Sequence, residues 1–562
     1  MENTKANSME MLICKAAKHP YVCTALACIL TLPFGLCQLE NINIFSLVCA
    51  LLIGGALSAV IALFAGRGKS IGKTAILFIS GIAYTVICLF LINLSKNNVT
   101  VMFLLFVVGM VGLAYVLKKC GCLGTREFVA ILILSGIALR LMYVLCTDST
   151  QRQHDVGYFG TDYGGHSNYI EYWYNNGLVL PDFDVRTVWQ FYHPPFHHMI
   201  MALLLRLFTV FGMPYSVACE ALQILPMTYS SLCMVVSYRL FKAVKLNNLP
   251  LVIAMSIVCF HPTFIRLGGS FNNDILSILL ILLSVLWSFK WYKNRSFINI
   301  VFLALCVGLG MMTKLSAWIV APPIAFLFLY TLIKDNKNIL KYILQYLLFG
   351  VICAPLGLWW QFRNFIMFRV PVTYIPYLGE NNLQYSGNLP LGTRLLDFFS
   401  PGRLDYPFVH GTYGVETNPT LGLFKTAVFD ESSNVSDLSN VGSALTYTLF
   451  YLSIILFLIC TVAFFVSMIR KKSNIDLPVR IFYIILFSVF VISYYSFCFK
   501  FPFTCTYNIR YCTPLIVLCA MGLGLMLKNL NNSLNSKIIK YAISGLVAVF
   551  CIASCLLYTQ YQ

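Results

Sequence analysis

The residues of this chain best suited to acid-base chemistry are concentrated in residues 153–195, a polar stretch within a largely apolar sequence. Two aspartates in this stretch, Asp155 and Asp162, are the candidates for a general base. Such a carboxylate takes the proton from a hydroxyl or amine as that group attacks an electrophilic carbon. Asp155 is slightly favoured because it lies nearer to the preceding apolar segment. The alternative is that both acids are solvated loop residues or helix caps.

Histidines accompany these two acids. Five of the chain's eight histidines lie within or directly after the stretch: His154, His166, His193, His197 and His198. Asp162 and His166 are spaced to share one face of a helix, although the glycines between them disfavour a helix there. A zinc site is an alternative use of the histidines, but none of them forms a strong ligand motif. We therefore predict no cofactor and no metal site; a divalent metal is compatible with these side chains but is not indicated.

Basic residues at the ends of later apolar segments are candidates for binding phosphate, which arginine and lysine suit well. The four candidates are Arg266, Lys314, Arg363 and Arg510. The alternative for each of them is an anchor that reaches toward lipid headgroups. Asn273 and Asp274 begin another apolar segment, where they either cap a helix or belong to the site.

The elements that must position these residues are apolar helices. The sequence is 59% hydrophobic and 11% charged, which predicts an all-α polytopic membrane protein. The net charge of +18 does not indicate nucleic-acid binding, because the basic residues cluster in short loops between apolar runs. A span needs about 20 apolar residues, and this rule predicts about 15 spans. They fall near residues 20–38, 44–65, 72–94, 99–118, 127–147, 219–238, 249–267, 273–290, 297–312, 315–333, 342–361, 443–467, 478–498, 509–527 and 538–558.

The basic loops predict the orientation of these spans, since cytoplasmic loops are enriched in lysine and arginine. Residues 66–73 and 118–126 carry such clusters, which puts the N-terminus in the cytoplasm. Residues 196–211 are apolar but short and are predicted to be interfacial or re-entrant. The predicted organisation is a four-span extension at 1–126, a membrane core at 127–362 with a first outer loop at 148–218, a second outer loop at 363–441 and C-terminal spans at 442–562.

In their order along the chain, these residues resemble the membrane glycosyltransferases of the C superfamily, in the branch that includes protein mannosyltransferases and aminoarabinose transferases. Asp155 or Asp162 resembles the acidic motif that this branch carries in its first outer loop, and His193 with Pro194-Pro195 resembles its Pro-Pro element. The resemblance implies a C-type glycosyltransferase fold and substrate-binding roles for His166, Tyr169, His193, Asn273, Asp274 and Tyr511. The sequence lacks the paired Asp-Glu of many relatives, which leaves the catalytic carboxylate open.

The activity implied by the resemblance is transfer of a sugar from a polyprenyl- or dolichyl-phosphate donor. Arginine or lysine would hold the donor phosphate, and an outer-loop aspartate would activate an acceptor that is a protein, a lipid or a glycan. A bacterial cytoplasmic membrane is favoured over the endoplasmic reticulum. One alternative is a transporter or flippase for a lipid-linked glycan, which predicts charges near the middle of spans and an internal repeat. Few such charges occur beyond Arg140 and Glu220, and no repeat is evident. A structural membrane protein is another, but it gives no reason to concentrate acids and histidines in one loop.

Overall fold

The structure is a computed structural model that describes residues 107, 110, 111, 114, 123–150, 155–161, 164–411, 414–431, 442–470, 475–531 and 533–559. The predicted spans at 20–38, 44–65 and 72–94 lie outside the described residues, as do Asp162 and most of the predicted span at 99–118. The described part of the chain is mostly helical, which confirms the prediction of an all-α protein.

Eight helices of the described part are long and apolar enough to cross a membrane. They are Thr125–Cys146, Tyr215–Ala243, Asp274–Lys293, Leu315–Lys334, Asn336–Phe368, Ser443–Ile469, Leu477–Lys500 and Leu534–Tyr558. A ninth candidate is the pair Thr504–Tyr511 and Pro514–Lys528, which is bent by 48°. The chain is therefore a multi-pass membrane protein, while the total of about 15 spans stays a prediction.

We number the helices of the described part in chain order. They are α1 (Thr125–Cys146), α2 (His166–Asn176), α3 (Phe196–Val210), α4 (Tyr215–Ala221), α5 (Ile224–Ala243), α6 (Asn248–Phe260), α7 (Pro262–Leu267), α8 (Asp274–Lys293), α9 (Phe297–Thr313), α10 (Ala321–Lys334), α11 (Ile339–Phe368), α12 (Leu391–Leu396), α13 (Pro419–Phe429), α14 (Ser443–Ile469), α15 (Leu477–Lys500), α16 (Pro514–Lys528) and α17 (Leu534–Thr559). Short 3₁₀ segments lie at Leu315–Val320, Asn336–Asn338, Thr504–Thr506 and Ile509–Tyr511. Two short strands, β1 (His410–Gly411) and β2 (Gly414–Val415), pair antiparallel.

The predicted span at 249–267 is broken in the structure. Helix α6 ends at Phe260, and α7 begins at Pro262. His261 between them has extended dihedral angles, which the residue before a proline favours. Its side chain then caps α7 by accepting a hydrogen bond from the amide of Thr263. Hydropathy alone treats these residues as one apolar run, and so it missed this break.

Helices α8 and α9 form the hairpin that brings candidate site residues together. They pack against each other, and α9 also packs on α11. Gly357 on α11 permits this close approach, because a Cβ atom there would lie 2.9 Å from the Cβ of Met311. Since α8 and α9 follow each other along the chain and pack side by side, the start of α8 and the end of α9 lie at the same end of the bundle. Asp274 and Lys314 are thereby neighbours.

We call the region between α11 and α14 the second loop (residues 369–442), and a buried carboxylate links parts of it that the structure describes. Glu416 forms ion pairs with Arg403 and with Lys425, the latter at 2.7 Å. The same carboxylate accepts the amides of Thr417 and Asn418 at 2.9 Å each. This network fixes α13 against the strand pair, and every partner of the buried charge is either a cation or a hydrogen-bond donor.

The second loop also packs against the segment that carries Arg510. The Ile509 amide donates to Thr426 Oγ1 at 2.9 Å, and Asn508 Nδ2 donates to Asp430 Oδ1 at 2.7 Å. Asn508 in turn caps the next 3₁₀ turn by accepting the Arg510 amide. Contacts between residues far apart in the sequence therefore fix the backbone position of Arg510.

Candidate functional site

The first loop, which we define as residues 148–195, folds back so that Asp155 lies beside the first turn of α2. The amides of His166 and Ser167 donate to the carbonyl oxygens of Asp155 and Val156, at 3.0 and 2.8 Å. Asp155 has a φ of 56°, in the left-handed region. That conformation costs a residue other than glycine about 1 kcal/mol or more. The surrounding hydrogen bonds maintain it, and so the loop determines the position of Asp155.

Glycines shape the turn that leads into α2. Gly164 and Gly165 have φ values of 78° and 120°, and α2 begins only at His166. The expectation that glycines interrupt a helix at this point is therefore confirmed. Helix α2 therefore does not extend back beyond His166, and the helical face predicted to be shared with Asp162 involves a residue outside the described part of the chain.

Gly165→Ala is expected to destabilise the first loop more than Gly160→Ala does. A Cβ atom at residue 165 would lie 2.6 Å from the carbonyl oxygen of Val156 and 2.8 Å from the amide nitrogen of Gly157. Gly160 also has a positive φ, but no described atom would lie within 4 Å of its Cβ. We expect the free energy of unfolding to fall by about 2 kcal/mol or more for Gly165→Ala and by about 1 kcal/mol for the control. Thermal unfolding of the detergent-solubilised variants measures this difference, and equal losses would contradict it.

Buried histidines line the side of α2 that faces α3. His166 Nδ1 lies within hydrogen-bond distance of His198 Nε2, at 2.8 Å, and the planes of the two rings are nearly parallel. The His193 ring stacks on His166 with centroids 5.8 Å apart, and His197 Nε2 lies 2.9 Å from the carbonyl oxygen of Phe271. Among the described residues, no group of three or more His, Cys, Asp or Glu side chains is arranged to hold a metal ion. The rings of His166, His193 and His198 pack against neighbouring aromatic rings.

Burial sets the protonation of these rings. It lowers the pKa of His166 and of His198 well below the usual value, and neighbouring histidines lower both further. Burial, reinforced by the charge of Lys314, lowers the pKa of His193 to about 3. These imidazoles are therefore neutral at physiological pH and can donate through one ring nitrogen and accept through the other.

Acidification is expected to destabilise the folded chain through these histidines. The unfolded chain binds a proton at His193 near pH 6.5, whereas the folded chain does so only near pH 3. The stability that depends on a neutral His193 is therefore fully present above pH 6.5 and is lost as the pH falls toward 3. At pH 5 the loss from His193 is about 2 kcal/mol.

Unfolding midpoints at pH 7.5 and 5.0 test this expectation for the wild type and for His193→Gln, which lacks the titrating ring. The variant should show a smaller drop in midpoint between the two pH values. His410→Gln, in β1, is the matched control and should show the full drop. An unchanged pH dependence in His193→Gln would contradict the prediction.

Asp274, the first residue of α8, forms a buried cluster with two cations. Lys314 Nζ donates to Asp274 Oδ1 in an ion pair, and Arg510 Nη1 lies 4.0 Å from Asp274 Oδ2. The ring of Tyr511 lies under both cations, 5.1 Å from Lys314 Nζ and 5.0 Å from Arg510 Cζ. Two cations around one carboxylate give these three groups a formal charge of +1, while Asp155 and Glu431 also interact electrostatically with Arg510.

The neighbouring Asn273 does not act as a helix cap. It occupies the N-cap position of α8 without a capping hydrogen bond from its side chain. Its Nδ2 instead donates to the carbonyl oxygen of Thr313 at 2.8 Å, which ties the start of α8 to the end of α9. Asn273 therefore joins α8 to α9 instead of capping α8, and its role in the site stays a prediction.

A cavity of about 300 Å³ unites these groups. Its polar wall includes Asp155, His166, His193, Asn273, Tyr511 and the cluster of Asp274 with Lys314 and Arg510. Its apolar wall includes Ile278, Ile281, Trp318, Ile319, Phe490 and Phe497. Trp318 is 51% exposed, so the apolar wall reaches the outer surface of the helix bundle. The cavity thus combines an acid, cations and an apolar lining.

Three of the residues predicted for the site do not line this cavity. Arg266 forms an ion pair with Asp430 at 3.2 Å. Arg363 donates to the carbonyl oxygen of Pro181 and packs over aromatic rings. Tyr169 donates to the carbonyl oxygen of His193 at 3.1 Å and packs on the rings behind the cavity. Their placement suits support of the site rather than contact with a ligand.

Several cavity residues were not predicted from the sequence. They are Gln190, Tyr192, Gln361, Asn364 and the segment 370–375. A usable signal was present for the two on α11, because Gln361 and Asn364 are polar, three residues apart and close to the end of an apolar run. Gln190 and Tyr192 carried no comparable signal in the sequence.

The apolar spans and the ionic cavity at their ends define a multi-pass helical membrane protein. Residues 192–360 of this chain match the model of a family described as dolichyl-phosphate-mannose-protein mannosyltransferase. The matched range contains His193, Asp274 and Lys314, and it excludes Asp155 and Arg510. This match agrees with the branch of glycosyltransferases that the sequence motifs resemble.

Comparison with whole proteins adds little to this match. A search of curated proteins gave no match. Among solved structures, the fold is similar to the oligosaccharyltransferase of Archaeoglobus fulgidus in its apo form, with 14% identity, a TM-score of 0.43 and coverage of 78% of this chain and 56% of the other. The archaeal oligosaccharyltransferase AglB from the same organism, in complex with an inhibitory peptide and a dolichol-phosphate, gives 14% identity, a TM-score of 0.44 and coverage of 77% and 56%. The chain thus spans little more than half the length of these proteins.

Proposed function

We propose that this chain is a glycosyltransferase that uses a polyprenyl- or dolichyl-phosphate-linked sugar, with Asp155 as the general base that activates the acceptor. The observation that carries the proposal is the cavity in which Asp155, Lys314 and Arg510 share one wall with an apolar lining beside it. A lipid-linked sugar phosphate has the matching parts, since it combines an anion, a reactive carbon and a long apolar chain. The family match over residues 192–360 supports the same substrate class.

The cations suit the phosphate of the donor. Lys314 and Arg510 are both mostly buried, with side chains 13% and 7% exposed. In such a setting their charges act on a phosphate with little screening by water. They bind the donor in its ground state and stabilise the charge that develops on the phosphate as it leaves. Asp274 holds both cations in place before the donor arrives.

In the proposed reaction, a hydroxyl or amine of the acceptor attacks the anomeric carbon of the donor sugar. The new bond forms between the acceptor atom and that carbon while the bond from the carbon to the phosphate oxygen breaks. The electron pair of the broken bond leaves with the lipid phosphate, and Asp155 takes the acceptor proton. A single displacement of this kind inverts the anomeric carbon and needs no nucleotide.

The apolar wall suits the prenyl chain of the donor. Ile278 and Ile281 lie on α8, Phe490 lies on α15, and Trp318 lies in the 3₁₀ segment after Lys314. All of these elements belong to candidate membrane spans. A lipid-linked donor can therefore reach the cations sideways from the bilayer without crossing water.

The proposed topology puts the site at the outer face and the N-terminus in the cytoplasm, as the basic loops predict. The proposed location is a bacterial cytoplasmic membrane in preference to the endoplasmic reticulum. The acceptor is a protein, a lipid or a glycan of that outer face. Arg266 and Arg363, predicted with the other two as phosphate ligands, are proposed here to support the site from behind.

Reconstituted activity tests the proposal. Purified protein in proteoliposomes is given a polyprenyl-phosphate hexose with a radiolabelled sugar, together with a delipidated envelope extract as the source of acceptor. We expect label to move from the lipid to extract components and free polyprenyl phosphate to accumulate in equal amount. Movement of the labelled lipid between leaflets without sugar transfer would favour the flippase alternative and overturn the proposal.

Arg140 and Glu220 are the charged residues that a flippase would use, and both form hydrogen bonds within the protein. Arg140 on α1 donates to Ser230 Oγ at 2.7 Å and to the carbonyl oxygens of Gly136 and Cys259 at 2.8 and 2.9 Å. Glu220 accepts the amide of Ser149 at 2.9 Å. These contacts tie helices and loops together, so neither residue needs a transported ligand to explain its presence within an apolar segment.

A further inference from the structure

The cavity wall carries three side-chain amides in addition to its ionic groups. Gln190 lies in the first loop, and Gln361 and Asn364 lie near the end of α11. All three are at least nine-tenths buried, with exposed fractions of 1%, 7% and 3%. They are neutral, so they neither balance a charge in the cavity nor take the proton of the acceptor.

Two of these amides have a polar atom without a hydrogen bond. Among the described residues, nothing donates to Gln190 Oε1 or to Gln361 Oε1, although both atoms are buried. An amide left unpaired in this way lowers the stability of the folded chain, whichever way its oxygen and nitrogen are turned. A ligand or an ordered water can pair with such a group where it lines a cavity, as these two do.

The third amide is already oriented by the protein. Arg363 Nη1 donates to Asn364 Oδ1 at 2.8 Å, which leaves the Nδ2 of Asn364 as the polar atom that can serve a ligand. Arg363 itself is fixed by the carbonyl oxygen of Pro181. The wall therefore presents amides that can both donate and accept, and a sugar ring can pair with them because each hydroxyl also does both.

Aromatic rings complete this part of the wall. Tyr192 and Tyr374 both line the cavity, with ring centroids 5.9 Å apart and planes at 84°. Trp360 Nε1 donates to the carbonyl oxygen of Tyr192 at 3.3 Å, which joins the first loop to α11 beside Gln361. An apolar ring face next to amides is the surface that a sugar needs, since its carbon face is apolar and its edge is polar.

From this arrangement we infer that Gln190, Gln361 and Asn364 bind the hydroxyls of the donor sugar and so determine which sugar is transferred. The inference rests on the proposed function. The donor sugar is bonded directly to the phosphate, so it must lie within one ring's length of Lys314 and Arg510, in the cavity that these amides line. A site built to hydrogen-bond a hydroxyl strongly rejects a ring that lacks that hydroxyl.

Gln361→Met and Gln190→Met test the inference, because methionine keeps the length of the side chain and removes the amide. Binding of labelled polyprenyl-phosphate hexose to the solubilised protein is expected to weaken about tenfold in each variant, the effect of losing one hydrogen bond. Binding of polyprenyl phosphate without a sugar is expected to stay unchanged. The unfolding midpoint of the protein without donor should stay equal or rise, since an unpaired buried amide has been removed.

Gln223→Met is the matched control. Gln223 is also buried with an unpaired Oε1, but it does not line the cavity, and its variant should bind both lipids as the wild type does. Equal binding of the hexose donor by wild type and both cavity variants overturns the inference, as does equal weakening for both lipids. A wild type that binds neither lipid instead overturns the proposed function, so the two failures are distinguishable.

Discussion

Asp155→Asn is expected to reduce the rate of sugar transfer by about 10²- to 10⁴-fold, the usual contribution of a general base. The asparagine side chain matches aspartate in size but cannot take the proton from the acceptor. The backbone at this position keeps its hydrogen bond from the His166 amide, so the loop should retain its shape. Binding of polyprenyl phosphate should persist because Lys314 and Arg510 are unchanged. Initial rates and lipid binding, measured on one preparation, separate these two effects.

Asp148→Asn is the control for this variant. Asp148 also lies in the first loop and is exposed. It is not among the residues that line the cavity, and its replacement should leave the rate of transfer unchanged. A second variant, Asp162→Asn, tests whether Asp162 is the general base in place of Asp155. Asp162 lies outside the described part of the chain. Full activity in both Asp155→Asn and Asp162→Asn would show that the mechanism is wrong.

Asp274→Asn is expected to lower the free energy of unfolding by about 3–5 kcal/mol, the cost of leaving buried charges without their partner. The carboxylate is 5% exposed and lies between Lys314 and Arg510, so its loss leaves two cations facing each other in a site with little water. Unfolding by heat or denaturant in detergent measures the effect. Donor phosphate should restore more stability to this variant than to the wild type, because it supplies the missing negative charge.

The double variant Asp274→Asn with Lys314→Met separates this charge effect from a simple packing effect. Removing one of the two uncompensated cations should recover much of the lost stability, even though the donor then binds more weakly. Asp335→Asn is the matched control, since Asp335 pairs with Arg295 at 3.0 Å where both side chains are more exposed. Its loss of stability should be much smaller. A similar loss in both aspartate variants, or no recovery in the double variant, would contradict the prediction.

The sequence by itself determined the class of the molecule and most of its spanning helices. The predicted spans at 127–147 and 443–467 correspond to Thr125–Cys146 and Ser443–Ile469 in the structure. This success has a simple physical reason, because a helix in lipid must be apolar over about 20 residues whatever surrounds it. The break at His261 escaped the same rule because hydropathy does not register how a proline restricts the residue before it.

The sequence also indicated where ionic chemistry is concentrated. A charged residue next to an apolar segment is costly, and such residues mark functional sites. Asp155, Asp274, Lys314 and Arg510 were all predicted for the site, and the structure brings these four to one cavity. Their individual roles stay predictions until the variants above are measured.

Only the tertiary structure decided which cation meets which acid. Four basic residues were predicted at a similar depth, yet Lys314 and Arg510 surround Asp274, whereas Arg266 pairs with Asp430. The sequence gives the position of a residue along its helix but not the side of the helix that a distant segment will contact. Asp274 and Arg510 meet because α13 holds the Ile509–Tyr511 segment in place, as in the hydrogen bond from Ile509 to Thr426. A pattern within one segment does not contain this information. Gln190 and Gln361 lie on different segments, so only the tertiary structure shows that their amides line the same cavity.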